Sequence, residues 1–440
     1  MPPPPSLRRH LSLRDLVVYG LLFIGPLAPV GVFGVLDART NGAVALVYVL
    51  ATVAMAFTAW SYARMSRVVP RAGSVFAYAS EGLGPGAGFL AGWLAMLDYL
   101  LIPSVAYLFC GIALHALVPA VPAWAFTLLA FAATTALNRA GVALAARVGT
   151  FVLVAEIAVF VLFAAAAAVV LTGTGAARPL ASPFTGLGVF TLTPVVGAVS
   201  IAVLSFLGFD AIASFAEESA GDVRHVGSAI TACLVTAGLL FVLQTWLGAV
   251  LSTQDPAMLA AEPASQGPAF YAIARSAIGP WMSNLLAITK AIGPAFAAMT
   301  AQAAAARLLF GMAREGRLPS WLAQVDERHG VPSAALTAAA GLTLVVSAWA
   351  ATRDDGLDVL VSIVDLGALA AFTLLHASVV GYFVRQRRGP STLADILIPC
   401  AGAATTLWVI AETSTLAKLV AGVWLAAGLL VMRRSWTRTS

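Results

Sequence analysis

Asp98, Glu156, Asp210 and Asp365 each stand inside a long apolar run, and Lys290 is the one Lys or Arg in a comparable setting. An ionisable side chain at membrane depth costs about 2.5–3.5 kcal/mol on insertion scales, which makes each a functional candidate by default. Four carboxylates against one ammonium leave an anionic interior, to be neutralised by protons, a cationic ligand or polar neighbours. The chemistry such residues offer is cation binding or proton relay. Covalent catalysis has no matching residues: no H-E-x-x-H run occurs, no Ser/His or Cys/His arrangement lies in the apolar runs, and the 5 histidines are scattered. His376, also in an apolar run, reads as a satisfied packing residue. Cys110, Cys233 and Cys400 have spacings that suit neither a disulfide framework nor a metal site.

The elements that carry these residues follow from composition. The chain is 60% hydrophobic and only 10% charged, where a soluble domain has about 25% charged residues. Its apolar runs reach the ~20 residues that cross a bilayer as helix. They predict an all-helical integral membrane protein of twelve spans, near 15–38, 42–64, 84–118, 121–138, 141–172, 191–218, 226–251, 279–310, 332–350, 356–386, 393–411 and 415–433. Gly84-Pro85 and Ala120-Val121-Pro122 mark turns between them. Residues 15–433 read as one transmembrane domain between an N-terminal tail, 1–14, and a C-terminal tail, 434–440.

Charge orients the spans. Most of the 25 Lys and Arg residues fall to one side, among them Arg8, Arg9, Arg64, Arg67, Arg71, Arg224, Arg307, Arg314, Arg317, Arg328 and Arg438. Arg39, Arg178, Arg275, Arg353 and Lys418 fall to the other. By the positive-inside rule the rich side, with both termini, is cytoplasmic. The basic residues sit in short loops, so the formal charge of +5 implies the lipid bilayer as surroundings and no nucleic-acid partner. The first apolar segment, Leu16 to Leu36, is too long for a signal-peptide core. An excess of Arg over Lys suggests a GC-rich bacterial genome and hence a bacterial inner membrane.

Two spans are expected to break. The first contains Gly25-Pro26-Leu27-Ala28-Pro29, two prolines in mid-helix, each removing a backbone donor and clashing with the preceding turn. Freed backbone groups at this depth are tolerated only where protein or a water-filled cavity satisfies them. Five spans later comes Ser205-Phe206-Leu207-Gly208-Phe209-Asp210. Breaks in the first and sixth spans are what two inverted repeats produce, with a solute held between the half-helices. Asp210 reads either as a cap of the second half-helix or as a partner of a solute amine. Phe206 and Phe209 read as cavity walls or a gate, with cation–π capacity.

Three stretches resemble the amino acid–polyamine–organocation (APC) permeases. One is the loop from Tyr62 to Ser74, running on through Gly84-Pro85 to Gly92-Trp93. Another is Phe206 to Glu218, closed by the acidic pair Glu217-Glu218. The third is Arg307-Leu308-Leu309-Phe310-Gly311-Met312-Ala313-Arg314-Glu315-Gly316-Arg317-Leu318-Pro319. Leu97-Asp98-Tyr99 and Asp365-Leu366-Gly367 are similar to the putrescine-importer-like branch. The resemblance implies a LeuT-like fold of five-plus-five inverted repeats, about 15–172 and 191–386, followed by two extra helices, 393–433.

It also implies roles. The third span lines the substrate site in this family, so Asp98 with Tyr99 is expected to bind a solute ammonium, or else to make a helix-packing hydrogen bond. Glu156 lies where proton-coupled relatives carry a lysine, and reads as a coupling residue or as an ion-pair partner of Lys290. Lys290 is expected to face the pathway from outside, and Asp365 to belong with a tenth-span gate. The family's Gly-rich first-span break, which takes a substrate carboxylate, is here Pro26, Ala28 and Pro29, a poorer anion nest. The family's Lys-Asn-Pro after the acidic pair is replaced by Gly221-Asp222-Val223-Arg224-His225. The expected function is import of a small amine such as a polyamine, with an amino acid permease as the alternative and not an enzyme. The transporter is expected to be a monomer or homodimer without cofactors, coupled to H+ or, alternatively, Na+.

Overall fold

The computed structural model describes residues 11–220, 222, 224–326, 330–351, 353, 356–388, 391–413 and 415–436. Most of both expected tails lies outside them, as do Gly221, Val223 and Arg328. Among the described residues the regular structure is helical, with two isolated β-bridges, Leu11 with Ser219 and Asp326 with Val331.

Eleven of these helices are long and apolar enough to cross a membrane, and they stand where eleven of the expected spans stand. In the fourth position is Ala123–Arg139, a helix of 17 residues. At 1.5 Å per residue it is about 25 Å long, at the short end of what crosses a bilayer. Short helices occupy stretches expected to be loop, the longest being Val75–Leu83 and Ala269–Ala277. Nine residues are too few to register as a span, yet Phe76 and Tyr78 are fully buried.

The first span is broken. It opens with a capping box at Ser12 and Asp15 and runs Leu13–Ile24. A 3-10 segment, Ala28–Gly31, follows, and the helix resumes at Phe33–Thr40. Gly25 takes φ +74° with open space where a Cβ would stand, so glycine serves the backbone there and not the packing. The sixth span is broken too. It runs Leu192–Leu204, turns at 205–208, and continues as a 3-10 helix, Phe209–Glu218. Ten residues of 3-10 helix exceed the usual three or four, a form that often marks a hinge.

The two breaks touch. Gly208 has φ +115°, and a Cβ on it would lie 2.1 Å from the ring of Phe23, in the last turn before the first break. The third span, Pro85–Leu117, is the axis around these breaks, packing on the eighth, Pro280–Arg314, and the tenth, Gly356–Val379. Gly367 of the tenth leaves room for only the bare backbone against Leu97. The second span, Val44–Ser66, packs on the seventh, Arg224–Leu251, and the fifth, Val142–Gly173, on the first. The ninth, Ser333–Ala351, flanks the eighth, and the eleventh, Ala394–Glu412, flanks the tenth. The twelfth, Thr415–Trp436, is clasped to the third by two indoles. Trp93 donates to the Trp424 carbonyl at 2.7 Å and Trp424 to the Trp93 carbonyl at 2.6 Å, with the rings stacked 4.6 Å apart.

The two break glycines should respond differently to a methyl group. Gly25→Ala meets no neighbour and costs only the backbone strain, about 1–3 kcal/mol, whereas Gly208→Ala adds the collision with Phe23. Thermal unfolding of the detergent-purified protein should fall further for Gly208→Ala. Adding Phe23→Ala should recover part of that loss and none of the Gly25→Ala loss.

A candidate substrate site between the broken helices

Asp210 lies in the first turn of the sixth span's second half. The N-cap position belongs to Gly208, and Asp210 serves the same amide end from inside the helix: its Oδ1 accepts the Gly208 N–H at 3.2 Å. Its Oδ2 accepts the Tyr99 hydroxyl at 2.6 Å. Tyr99 is thereby a strut from the third span to the sixth-span break, and both side chains are buried.

Asp98, one residue before that strut, is different. It is 1% exposed, and its Oδ1 is buried without a hydrogen-bond partner among the described residues. The charges that act on it are those of Asp210 and Asp365, with no base among them. A buried acceptor left unmatched costs about 1–3 kcal/mol, and more when it is charged. Such an atom is the natural counterpart of a donor brought by a ligand. Asp365 is likewise 9% exposed and in no described hydrogen bond or ion pair, and lines a separate cavity with Glu412.

Glu156 and Lys290 meet in another cavity of about 140 Å³, which also takes in Gly25, Leu27 and Ala28 of the first break and Ile102 of the third span. Their charges interact across it, but no salt bridge joins them among the described residues. The Glu156 carboxylate rests against Gly293, where a Cβ would displace it.

The aromatic residues divide. Phe209 packs among Tyr62 and Phe372, with ring centroids at 6.4 and 6.1 Å. Phe206 points to the second and seventh spans, packing against Tyr48 and Phe241, and lines neither cavity described above. Of the first-break residues Gly25, Leu27 and Ala28 line the Glu156 cavity, while Pro26 and Pro29 are buried beside it. His376 is held between Ser61 at 2.9 Å and Thr58 at 3.2 Å, a packing residue with both ring nitrogens matched.

The three stretches of the family resemblance converge at the arginine-rich end. Glu218, fully buried, pairs with Arg307, whose guanidinium lies over the Phe215 ring. Glu217 pairs with Arg314 at 2.7 Å and accepts the Ala72 N–H. Arg71 reaches Glu81 and Glu315, and Arg64 pairs with Asp395 at 2.8 Å. Both acids of the pair that closes the sixth span are thus met by arginines of the eighth. Leu11 ties the start of the first span to this seal through Glu218 and Ala220. At the opposite end, Arg178 holds Asp37 of the first span's outer half at 2.8 and 2.9 Å, and both are buried. That lock was missed: Asp37 looks like an ordinary span-end residue, and Arg178 stands far from it in sequence.

Residues 16–433 match the amino acid permease family. The chain belongs to that family. The permease is 30% identical to the low-affinity putrescine importer PlaP of Escherichia coli (strain K12), over 97% of this chain and 93% of that one. It is 27% identical to the methylthioribose transporter of Bacillus subtilis (strain 168), again over 97% and 93%. It is 26% identical to the branched-chain amino acid permease BcaP of Lactococcus lactis subsp. cremoris (strain MG1363), over 96% and 93%. The permease is thus a multi-pass membrane protein whose matched relatives bear the names of transporters.

The seal at the arginine-rich end makes a stability test. Removing one partner of a buried ion pair costs about 3–5 kcal/mol, while replacing both by apolar side chains is often neutral. Arg307→Ala should therefore lower thermal stability sharply, and the double change Arg307→Met with Glu218→Leu should restore it. Arg314→Ala, at a more exposed pair, should cost less.

Proposed function

We propose that this permease imports a small amine, a polyamine such as putrescine being the leading solute, by proton-coupled alternating access. The observation that carries this reading is Asp98: a buried carboxylate oxygen with no partner among the described residues, near the sixth-span break, with acids and no base acting on it. An ammonium brings both the charge and the hydrogen-bond donors that this oxygen lacks. The name of the 30% identical relative, a putrescine importer, supports the same class of solute. In this reading Asp98 holds the ammonium, while Tyr99 and Asp210 keep the two breaks in register around it. Glu156 and Lys290 form the coupling centre, with a proton on Glu156 setting how strongly the two attract across their cavity. H+ is the proposed coupling ion, with Na+ the alternative.

The halves that move against each other are 15–172 and 191–386, and the arginine-rich seal is the cytoplasmic gate. Both termini then lie in the cytoplasm of a bacterium whose inner membrane holds the protein as a monomer or homodimer. One observation favours an amino acid as solute instead. Lys290 lines the same cavity as Gly25 and Ala28, where it is placed to meet a carboxylate.

Uptake into proteoliposomes separates the two readings. Labelled putrescine should accumulate when the interior is alkaline and should not respond to a Na+ gradient; neutral amino acids should compete poorly. Losing a charge-assisted hydrogen bond costs about 1.5–3 kcal/mol, so Asp98→Asn should weaken the apparent affinity roughly 10–100-fold. Unchanged uptake in that variant removes Asp98 from the site, and inhibition by neutral amino acids at lower concentration than by amines establishes the alternative.

A further inference from the structure

A second cavity, of about 140 Å³, opens between the first half of the sixth span and the tenth and eleventh spans. It lies toward the end poor in arginine, where the eleventh span finishes. Its walls are Ser200, Leu204, Leu369 and Thr413, and its two acids are Asp365 and Glu412. Glu412 is exposed at the rim. Asp365 is the floor: more than nine-tenths buried, without a described hydrogen bond or ion pair, and facing the cavity. The nearby base, Lys418, is turned onto the Ala411 carbonyl at 2.8 Å. The hydroxyls of Ser200 and Thr413 are engaged with the carbonyls of Gly197 and Ile410.

This lining has a definite preference. Two carboxylates, with the remaining polar groups already engaged and apolar side chains between them, give a poor site for a metal ion, which needs several oxygen ligands. They suit an organic cation whose ammonium meets Asp365 and whose methylenes lie along Leu204 and Leu369. Behind the floor, Gly367 packs so closely on the third span that a Cβ there would lie 3.2 Å from the Asp98 backbone nitrogen, and the Asp365 charge acts on Asp98. The three acids therefore stand in series from surface to centre: Glu412, Asp365, Asp98.

We propose that the Asp365–Glu412 cavity is a separate staging site for an alkylammonium or diamine solute, from which Asp98 is loaded. The proposal rests on the amine reading above for its solute, but not for its cation preference. A cysteine at Ser200 in a Cys400→Ser background, with Cys110 and Cys233 buried, reports on the cavity in the purified protein. Nonionic detergent is the right medium, because it supplies no lipid ammonium. A methanethiosulfonate reagent with an ammonium head should be favoured over one with a sulfonate head about 10-fold or more beyond the preference a free thiol itself shows, since an acid-lined cleft concentrates cations by at least that factor. Asp365→Asn should bring the ratio down to that of a free thiol, and Glu412→Gln, at the exposed rim, should lower it in part. Putrescine should slow the modification, and should still do so when Asp98 is changed to Asn. A ratio no greater than that of a free thiol, or one indifferent to both acids, overturns the staging site. So does protection that vanishes with Asp98→Asn. Charge selectivity retained while putrescine gives no protection overturns the staging role and leaves only a cation-selective cleft, whereas the amine reading stands or falls separately on putrescine uptake.

Discussion

Every other feature of this permease is arranged around one contact, that of Gly208 with Phe23. A helix interrupted in hydrocarbon exposes amides and carbonyls that lipid cannot satisfy, so the interruption has to be enclosed by protein. Setting the two interruptions against each other lets the same surrounding helices enclose both. That demands a residue without a side chain on one side of the contact and a flat one on the other. It also demands an axis to keep the breaks level, and the third span supplies it through the Tyr99–Asp210 bond. The positive φ at Gly25 and Gly208 is what the chain needs to leave one half-helix and begin the next in a new direction.

Charge is distributed by the same logic. Where a carboxylate is structural, it is paired: Glu218 with Arg307, Glu217 with Arg314, Asp37 with Arg178, Asp395 with Arg64. These pairs sit at the two ends, and two of them bear on the first span, one through Leu11 and one through Asp37. The broken helix is therefore held at both extremities and free in the middle. The central acids have no such partners. Asp98 and Asp365 are buried without ion pairs among the described residues, and Glu156 faces Lys290 across a space. A protein does not gain stability from acids placed so.

What was legible in the sequence is what one segment determines by itself. Length and hydropathy placed the spans, because a helix must match the bilayer whatever its neighbours. Two prolines in five residues and a Gly–Asp pair placed the breaks, because those residues act on their own backbone. What required two segments at once was not legible. Phe206 lies in the irregular turn at 205–208, where neither helical nor strand periodicity fixes a side chain's direction, and it turned toward Tyr48 and Phe241. The bond from the Tyr99 hydroxyl to Asp210 joins the third span to the sixth and could not be read from either alone. The three family stretches were recognisable singly, but their convergence, with Ala72 on Glu217 and Gly73 against Gly311, depends on the fold. The acids at Asp37 and Glu412 drew no attention because they end helices, where acids are ordinary.

The first break also bears on which sign of charge its backbone could accommodate. An unwound segment presents amides to an anion or carbonyls to a cation, and the residues in the break decide the balance. Pro26 and Pro29 each withhold an N–H, and the Ala28 N–H is spent on the Gly25 carbonyl at 2.9 Å. Of the five residues from Gly25 to Pro29, Gly25 also has its amide engaged, with the Leu21 carbonyl. Few donors remain to cradle a carboxylate, while carbonyl oxygens persist with lone pairs to spare. The break and Asp98 thus argue in the same direction from different chemistry, one by withholding donors and the other by offering an acceptor. Lys290 is the exception, a donor in the cavity that the same break lines. Its charge already has Glu156 opposite, so any solute carboxylate drawn there would have to compete with an acid the protein itself supplies.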